Sequence, residues 1–135
     1  MPGKAEIFWQ SDSPKILIIA CGPLVHNALF AAKELEQEKI GSIVLNCHSI
    51  KPLDDAKILE LVKQCKAVVT VEEHQIAGGL GGAVAELLTK NYGCSTPIVR
   101  IGMNDAFGES GQPKELIEKY GMGISAIKEA VKKVI

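Results

Sequence analysis

Four short apolar runs, each followed by a stretch with helical spacing, set the limits on how this chain can fold. They are KILIIA (15–20), SIVLNC (42–47), AVVTVEE (67–73) and TPIVRIG (96–102). A continuous apolar run of this length reads as a strand covered on both faces, which is the condition of a strand inside a parallel sheet. Strand–helix alternation then implies parallel strands joined by right-handed crossovers.

The intervening segments have the spacing of amphipathic helices. In PLVHNALFAAKELEQEKIG (23–41), Leu24, Ala28, Ala31 and Leu35 share one face, widened by Val25, Leu29 and Ala32. Pro23 suits a first helical position and Gly41 the residue just past the end. Asp54 is placed to cap DAKILELVKQC (55–65), with Ile58, Leu61 and Val62 inward. GAVAELLTKNYG (82–93) is the third helix. After the loop MNDAFGESGQ come two short ones, PKELIEKYG and SAIKEAVKKVI, the second capped by Ser125. AEIFW (5–9) reads as an extra edge strand or a linker from a preceding domain. The expectation is one α/β domain, a three-layer αβα sandwich with four or five mostly parallel strands over 15–135. Residues 1–14 form the linker or edge strand.

Composition narrows the function classes. The 135 residues are 47% hydrophobic but only 4% aromatic, so the core is aliphatic. Fifteen basic and 16 acidic residues leave a formal net charge of −1, which offers no electrostatic attraction to nucleic acid or an anionic membrane. No apolar run approaches the roughly 20 residues that span a bilayer. The start MPGKAEIFWQSDSPK lacks a signal-peptide core, so a cytoplasmic location is expected. Cys21, Cys47, Cys65 and Cys94 contain no CxxC pair and are expected to be buried reduced thiols rather than disulfides or a zinc site.

The segment VEEHQIAGGLGG (71–82) concentrates the candidate chemistry. Glu72, Glu73 and His74 end a strand, at the sheet edge where open α/β folds bind ligands. A Glu–His pair can do acid–base work, or the same side chains can fix the following loop by hydrogen bonds. Neighbouring strand residues point to opposite faces, so Glu72 and Glu73 do not share one ligand unless the strand has ended. Of Gly78, Gly79, Gly81 and Gly82, Gly79 and Gly81 give G-x-G, but Val84 occupies the third position of a dinucleotide fingerprint, and no ATPase-type phosphate loop is present. The glycines either leave helix amides open to an anion or allow close packing of the helix, and chemistry alone favours packing. Arg100 is available to an anion or a glutamate. The Cys47–His48 neighbours lack an orienting third group. Asp54 and Asp55 read as capping, His26 as a surface or packing residue, and the 107–113 loop, with Glu109 and Ser110, as a flap or partner contact.

Taken in order, IKPLD (50–54), VVTVEEHQIAGGLGGAVAELL (68–88) and RIGMNDAFGESGQPKELIEKYG (100–121) resemble the C-terminal domain of transketolase. The likeness covers nearly the whole chain and is greatest to the C-terminal part of split, two-chain transketolases. 1-Deoxyxylulose-5-phosphate synthases and the β subunits of 2-oxo acid dehydrogenase E1 components end in a similar domain. The resemblance implies a mixed sheet with one antiparallel strand. It also implies a parent homodimer that uses thiamine diphosphate and Mg²⁺ to transfer a two-carbon ketol unit between sugar phosphates. In such enzymes a G-D-G motif and an activating glutamate, on two other domains, hold the cofactor. No GDG occurs here. The chain is therefore expected to carry no catalytic, cofactor or metal residue and to work with a preceding domain or partner subunit. Glu72, Glu73, His74, the glycines and Arg100 then form a crevice, an interface or a regulatory anion site. The alternatives are a domain of the two related enzymes or a free-standing phosphate- or nucleotide-binding module.

Overall fold

The computed structural model describes residues 4–21, 24–47, 53–72, 79–92, 96–102 and 123–135. Within them, β1 (Ala5–Gln10), β2 (Ile16–Ala20), α1 (Leu24–Gln37), β3 (Ser42–Cys47), α2 (Asp55–Val62), β4 (Ala67–Glu72), α3 (Leu80–Tyr92), β5 (Ile98–Gly102) and α4 (Ile124–Val134) follow in chain order. The strands form one sheet ordered β1-β3-β2-β4-β5. β3, β2, β4 and β5 run parallel, and β1 lies antiparallel on β3.

The apolar runs behave as their continuity requires. All of β2 is buried, and alternate residues feed two cores. Ile16 and Ile18 join Val44, Val69 and Val71 beneath α1 and α4. Leu17 and Ile19 join Ile43, Leu45 and Val68 beneath α2 and α3. Each fully buried Ile or Leu contributes about 2 kcal/mol of transfer free energy, so the sheet holds two helix layers without aromatic bulk.

Helix ends show where side chains overrule local pattern. Asp54 caps α2 as expected: its Oδ1 accepts from the Lys57 amide at 3.3 Å. Its Oδ2 also accepts from the Ala5 amide at 2.9 Å, tying the start of β1 to α2. Ser125 does not cap α4; it lies inside the helix, and Gly123 holds the cap position without a side-chain bond. Gly41 is not the residue that ends α1. Lys39 takes the left-handed conformation, φ 67°, and the Ile40 amide returns to the Leu35 carbonyl. Gly41 instead admits the β1–β2 connection, which crosses directly above it: a Cβ there would lie 2.5 Å from the Ser13 carbonyl oxygen. Ser11 secures that crossing. Its Oγ accepts from the Ser42 amide at 3.0 Å and donates to Glu36 Oε1 at 2.6 Å. The helix expected at PKELIEKYG and the 107–113 loop lie outside the described residues.

β1 is an edge strand with Ile7 and Phe8 exposed. Its register on β3 shifts between Ile7 and Trp9, so Phe8 bulges out of the ladder. Such bulges twist an edge away from pairing with another sheet.

A charge cluster clasps α4 to α1. Lys128 Nζ lies 3.0 Å from Glu34 and 2.8 Å from Glu38, and Lys132 Nζ lies 2.6 Å from the other Glu38 oxygen. Hydrogen bonds from Lys128 and Lys132 lower the Glu38 carboxyl from 4.5 to about 2. A depressed folded-state value means the contribution is complete above pH 4.5 and lost as pH falls toward 2. Carboxyl NMR titration should therefore find Glu38 titrating near 2, returning toward 4.5 in a Lys128→Met, Lys132→Met variant. An ordinary midpoint in the unaltered chain would show that the clasp does not persist in solution. Exposure and salt screening keep its weight in stability small.

Candidate functional site

The crevice is set by topology. From β2 the chain moves through α1 to β3 on one side, then returns through α2 to β4 on the other. The connections therefore part between the C-terminal ends of β2 and β4, the switch point where open α/β sheets place ligands. Cys21 follows β2 there, and Glu72 ends β4.

Glu72 is 1% exposed. Its period-two position, with Val68 and Thr70, turns it toward α3 rather than toward α1. Oε1 accepts from the Leu80 amide at 2.8 Å and Oε2 from the Gly81 amide at 2.7 Å. Both carboxylate oxygens are spent on the first turn of α3, where unpaired amides and the helix dipole favour negative charge. The helix consequently begins at Leu80, two residues before the start expected from its sequence, and takes in Gly81 and Gly82. The anion for which those amides are suited is the chain's own carboxylate.

Gly81 serves close approach. A Cβ there would meet Arg100 Cδ at 2.5 Å, Arg100 Cγ at 2.9 Å and Thr70 Oγ1 at 3.0 Å. Thr70 and Arg100 are register partners on β4 and β5, so α3 rests on both strands through the missing side chain. Arg100 is exposed. Among the described residues the fully buried Thr70 hydroxyl has no hydrogen-bond partner. A threonine within AVVTVEE gave no sign of this.

The structure thus brings Glu72, Gly81 and Arg100 to one end of the sheet, with Gly82 in the same helical turn and Gly79 just before it. Glu73, His74, Gly78, His48, Glu109 and Ser110 lie outside the described residues. Cys47 is 3% exposed, and burial pushes its thiol up to about 12, which removes it as an initiating nucleophile. Burial raises the Cys65 thiol to about 11. Contrary to the expectation of uniformly buried thiols, Cys21 and Cys65 are half-buried, because each sits where a strand or helix has just ended. His26 is a surface residue of α1. Among the described residues no three His, Cys, Asp or Glu side chains group as metal ligands, and no helix is long and apolar enough to cross a membrane.

The chain matches the family model of the transketolase C-terminal domain over residues 3–127. The chain belongs to the transketolase C-terminal domain family. It is 40% identical over 132 residues to a 6-deoxy-6-sulfo-D-fructose transketolase subunit of Clostridium sp. (strain MSTE9), covering 98% of this chain and 40% of the relative. It is 38% identical over 133 residues to a 1-deoxy-D-xylulose-5-phosphate synthase of Halothermothrix orenii, covering 98% of this chain and 21% of that one. Among solved structures, a split-gene transketolase described as an inactive beta4 tetramer superposes with a TM-score of 0.88 at 41% identity, over 99% of this chain and 43% of that chain. The transketolase C-terminal domain thus spans about two-fifths or less of these relatives.

Proposed function

We propose that this domain serves a transketolase-type enzyme as its structural and subunit-contact part, while thiamine diphosphate and Mg²⁺ are held by other domains or a partner chain. The observation that carries this reading is the Glu72 carboxylate on the α3 amides. A helix terminus is the feature of this fold best suited to a diphosphate. Here two of its donors are engaged by a buried anion, which would repel a second one. The α3 terminus therefore does not suit the cofactor, and no chemical step is assigned to it. Bound elsewhere, the cofactor would supply the carbanion chemistry of two-carbon ketol transfer between sugar phosphates. Glu72, Gly81 and Arg100 organise the crevice and an interface beside it rather than move protons. The complete enzyme is a cytoplasmic homodimer acting in the pentose phosphate pathway.

Calorimetry on the chain with thiamine diphosphate and Mg²⁺ should give no binding heat, and the chain alone should not convert xylulose 5-phosphate and ribose 5-phosphate. Adding the complementary thiamine-binding chain should restore ketol transfer. Micromolar cofactor binding, or turnover by this chain alone, would overturn the reading. The split-gene relative, described as an inactive beta4 tetramer, supports it. The synthase relative favours a second reading, a domain of the 1-deoxyxylulose-5-phosphate synthase branch. Assaying the reconstituted pair with pyruvate and glyceraldehyde 3-phosphate separates the two.

A further inference from the structure

Cys21 and Cys47 end neighbouring parallel strands. The β2–β3 register runs to Ala20 opposite Asn46, and the next residue on each chain is a cysteine. Both lie on the same side of the sheet: Cys47 belongs to the core beneath α2 and α3, and Cys21 packs against that cluster. Adjacent strands are about 4.8 Å apart, inside the roughly 4.4–6.8 Å that a disulfide tolerates between Cα atoms. Their side chains are close enough that Cys21 helps raise the Cys47 thiol, after burial and ahead of Asp54. Accessibility is asymmetric. Cys21 is half-buried at the switch point, whereas Cys47 is 3% exposed.

We propose that Cys21 and Cys47 form a reversible dithiol–disulfide pair at the crevice, oxidised by a small-molecule disulfide that reaches Cys21. The Cys21 thiolate attacks one sulfur of the oxidant, whose S–S bond breaks and releases one thiolate. The released thiolate takes a proton, leaving a mixed disulfide on Cys21. Cys47 then loses its proton and attacks the Cys21 sulfur, expelling the second small thiol. Two protein thiols are oxidised by two electrons, and the oxidant is reduced to two thiols. The high proton affinity of Cys47 assigns it the second, intramolecular step, where proximity replaces intrinsic reactivity. A bond that includes the half-buried Cys21 sulfur stays open to attack by small thiols, as suits a switch rather than a permanent staple. It would tie the end of β2 to the end of β3, beside the connection that leaves for α1.

The test equilibrates the full chain in glutathione buffers of graded oxidised-to-reduced ratio, quenches with acid and maps peptides by mass. The expected product has lost the mass of two hydrogen atoms, carries no glutathione, joins the Cys21 peptide to the Cys47 peptide and is reversed by dithiothreitol. A Cys47→Ala variant should stop at a stable glutathione adduct on Cys21, and Cys65→Ala should behave as the unaltered chain. Should the unaltered chain accumulate the Cys21 adduct as fully as Cys47→Ala does, or form links through Cys65 or Cys94 instead, the pair is not a switch. Where Cys47→Ala fails to fold, the peptide map of the unaltered chain decides alone.

Discussion

Replacing Glu72 with alanine is expected to destabilise the fold by about 3 kcal/mol, since two buried amides each lose a partner at about 1–3 kcal/mol. For a chain of this length that corresponds to a melting temperature about 10 °C lower. The Leu80 and Gly81 amides have that carboxylate as their acceptor, and the residue is 1% exposed, so water does not substitute without opening the junction. Glu72→Gln should lose about half as much, because its single oxygen serves one amide while its NH₂ faces the other. Urea titrations of the three proteins measure the series. The outcome also bears on chemistry. A residue that caps should lose stability in proportion to its lost acceptors, and a reconstituted enzyme should regain activity once the variant is folded by cooling. A Glu72→Ala chain of unchanged stability but without activity in the reconstituted enzyme would mean that the carboxylate moves protons after all.

Gly41→Ala is expected to cost about 3 kcal/mol, the upper range for inserting one methyl group into closed packing. The added carbon would lie 2.5 Å from the Ser13 oxygen, 3.0 Å from the Ser13 carbonyl carbon and 3.1 Å from Ser11 Cβ. The first two are backbone atoms and do not rotate aside. Relief requires lifting the β1–β2 connection, which breaks the Lys15 amide bond to the Gly41 carbonyl and the Ser42 amide bond to Ser11 Oγ. Amide exchange should therefore quicken first at Ser42 and Lys15. Gly81→Ala makes the useful contrast. Its closest neighbour, at the same 2.5 Å, is a carbon in the movable stem of Arg100, so the loss should be smaller. Equal losses at the two sites would refute the distinction between backbone and side-chain obstruction.

The layers of this fold were legible because period and run length report burial directly. β2 and β3 appear within a residue of their apolar runs, and the two cores are the two faces of one alternation. Helix limits were less legible because they depend on partners distant in sequence. Nothing local shows that Glu72 reaches eight and nine residues ahead to start α3, or that Lys39 rather than Gly41 turns left at the end of α1. Period two sends Glu72 toward α3, where it meets the Leu80 and Gly81 amides. The Cys21–Cys47 neighbourhood was invisible for another reason. The chain separates them by a whole helix, and only the strand order 3-2 makes them adjacent.

The Asp54 bond to the Ala5 amide has a mechanical consequence. A force applied at the front of β1 loads that single tether first, then the antiparallel ladder one rung at a time, as a zipper opens. The four parallel strands behind it do not share the load until β1 has peeled away, and the peeling draws Ala5 from one core and Trp9 from the other.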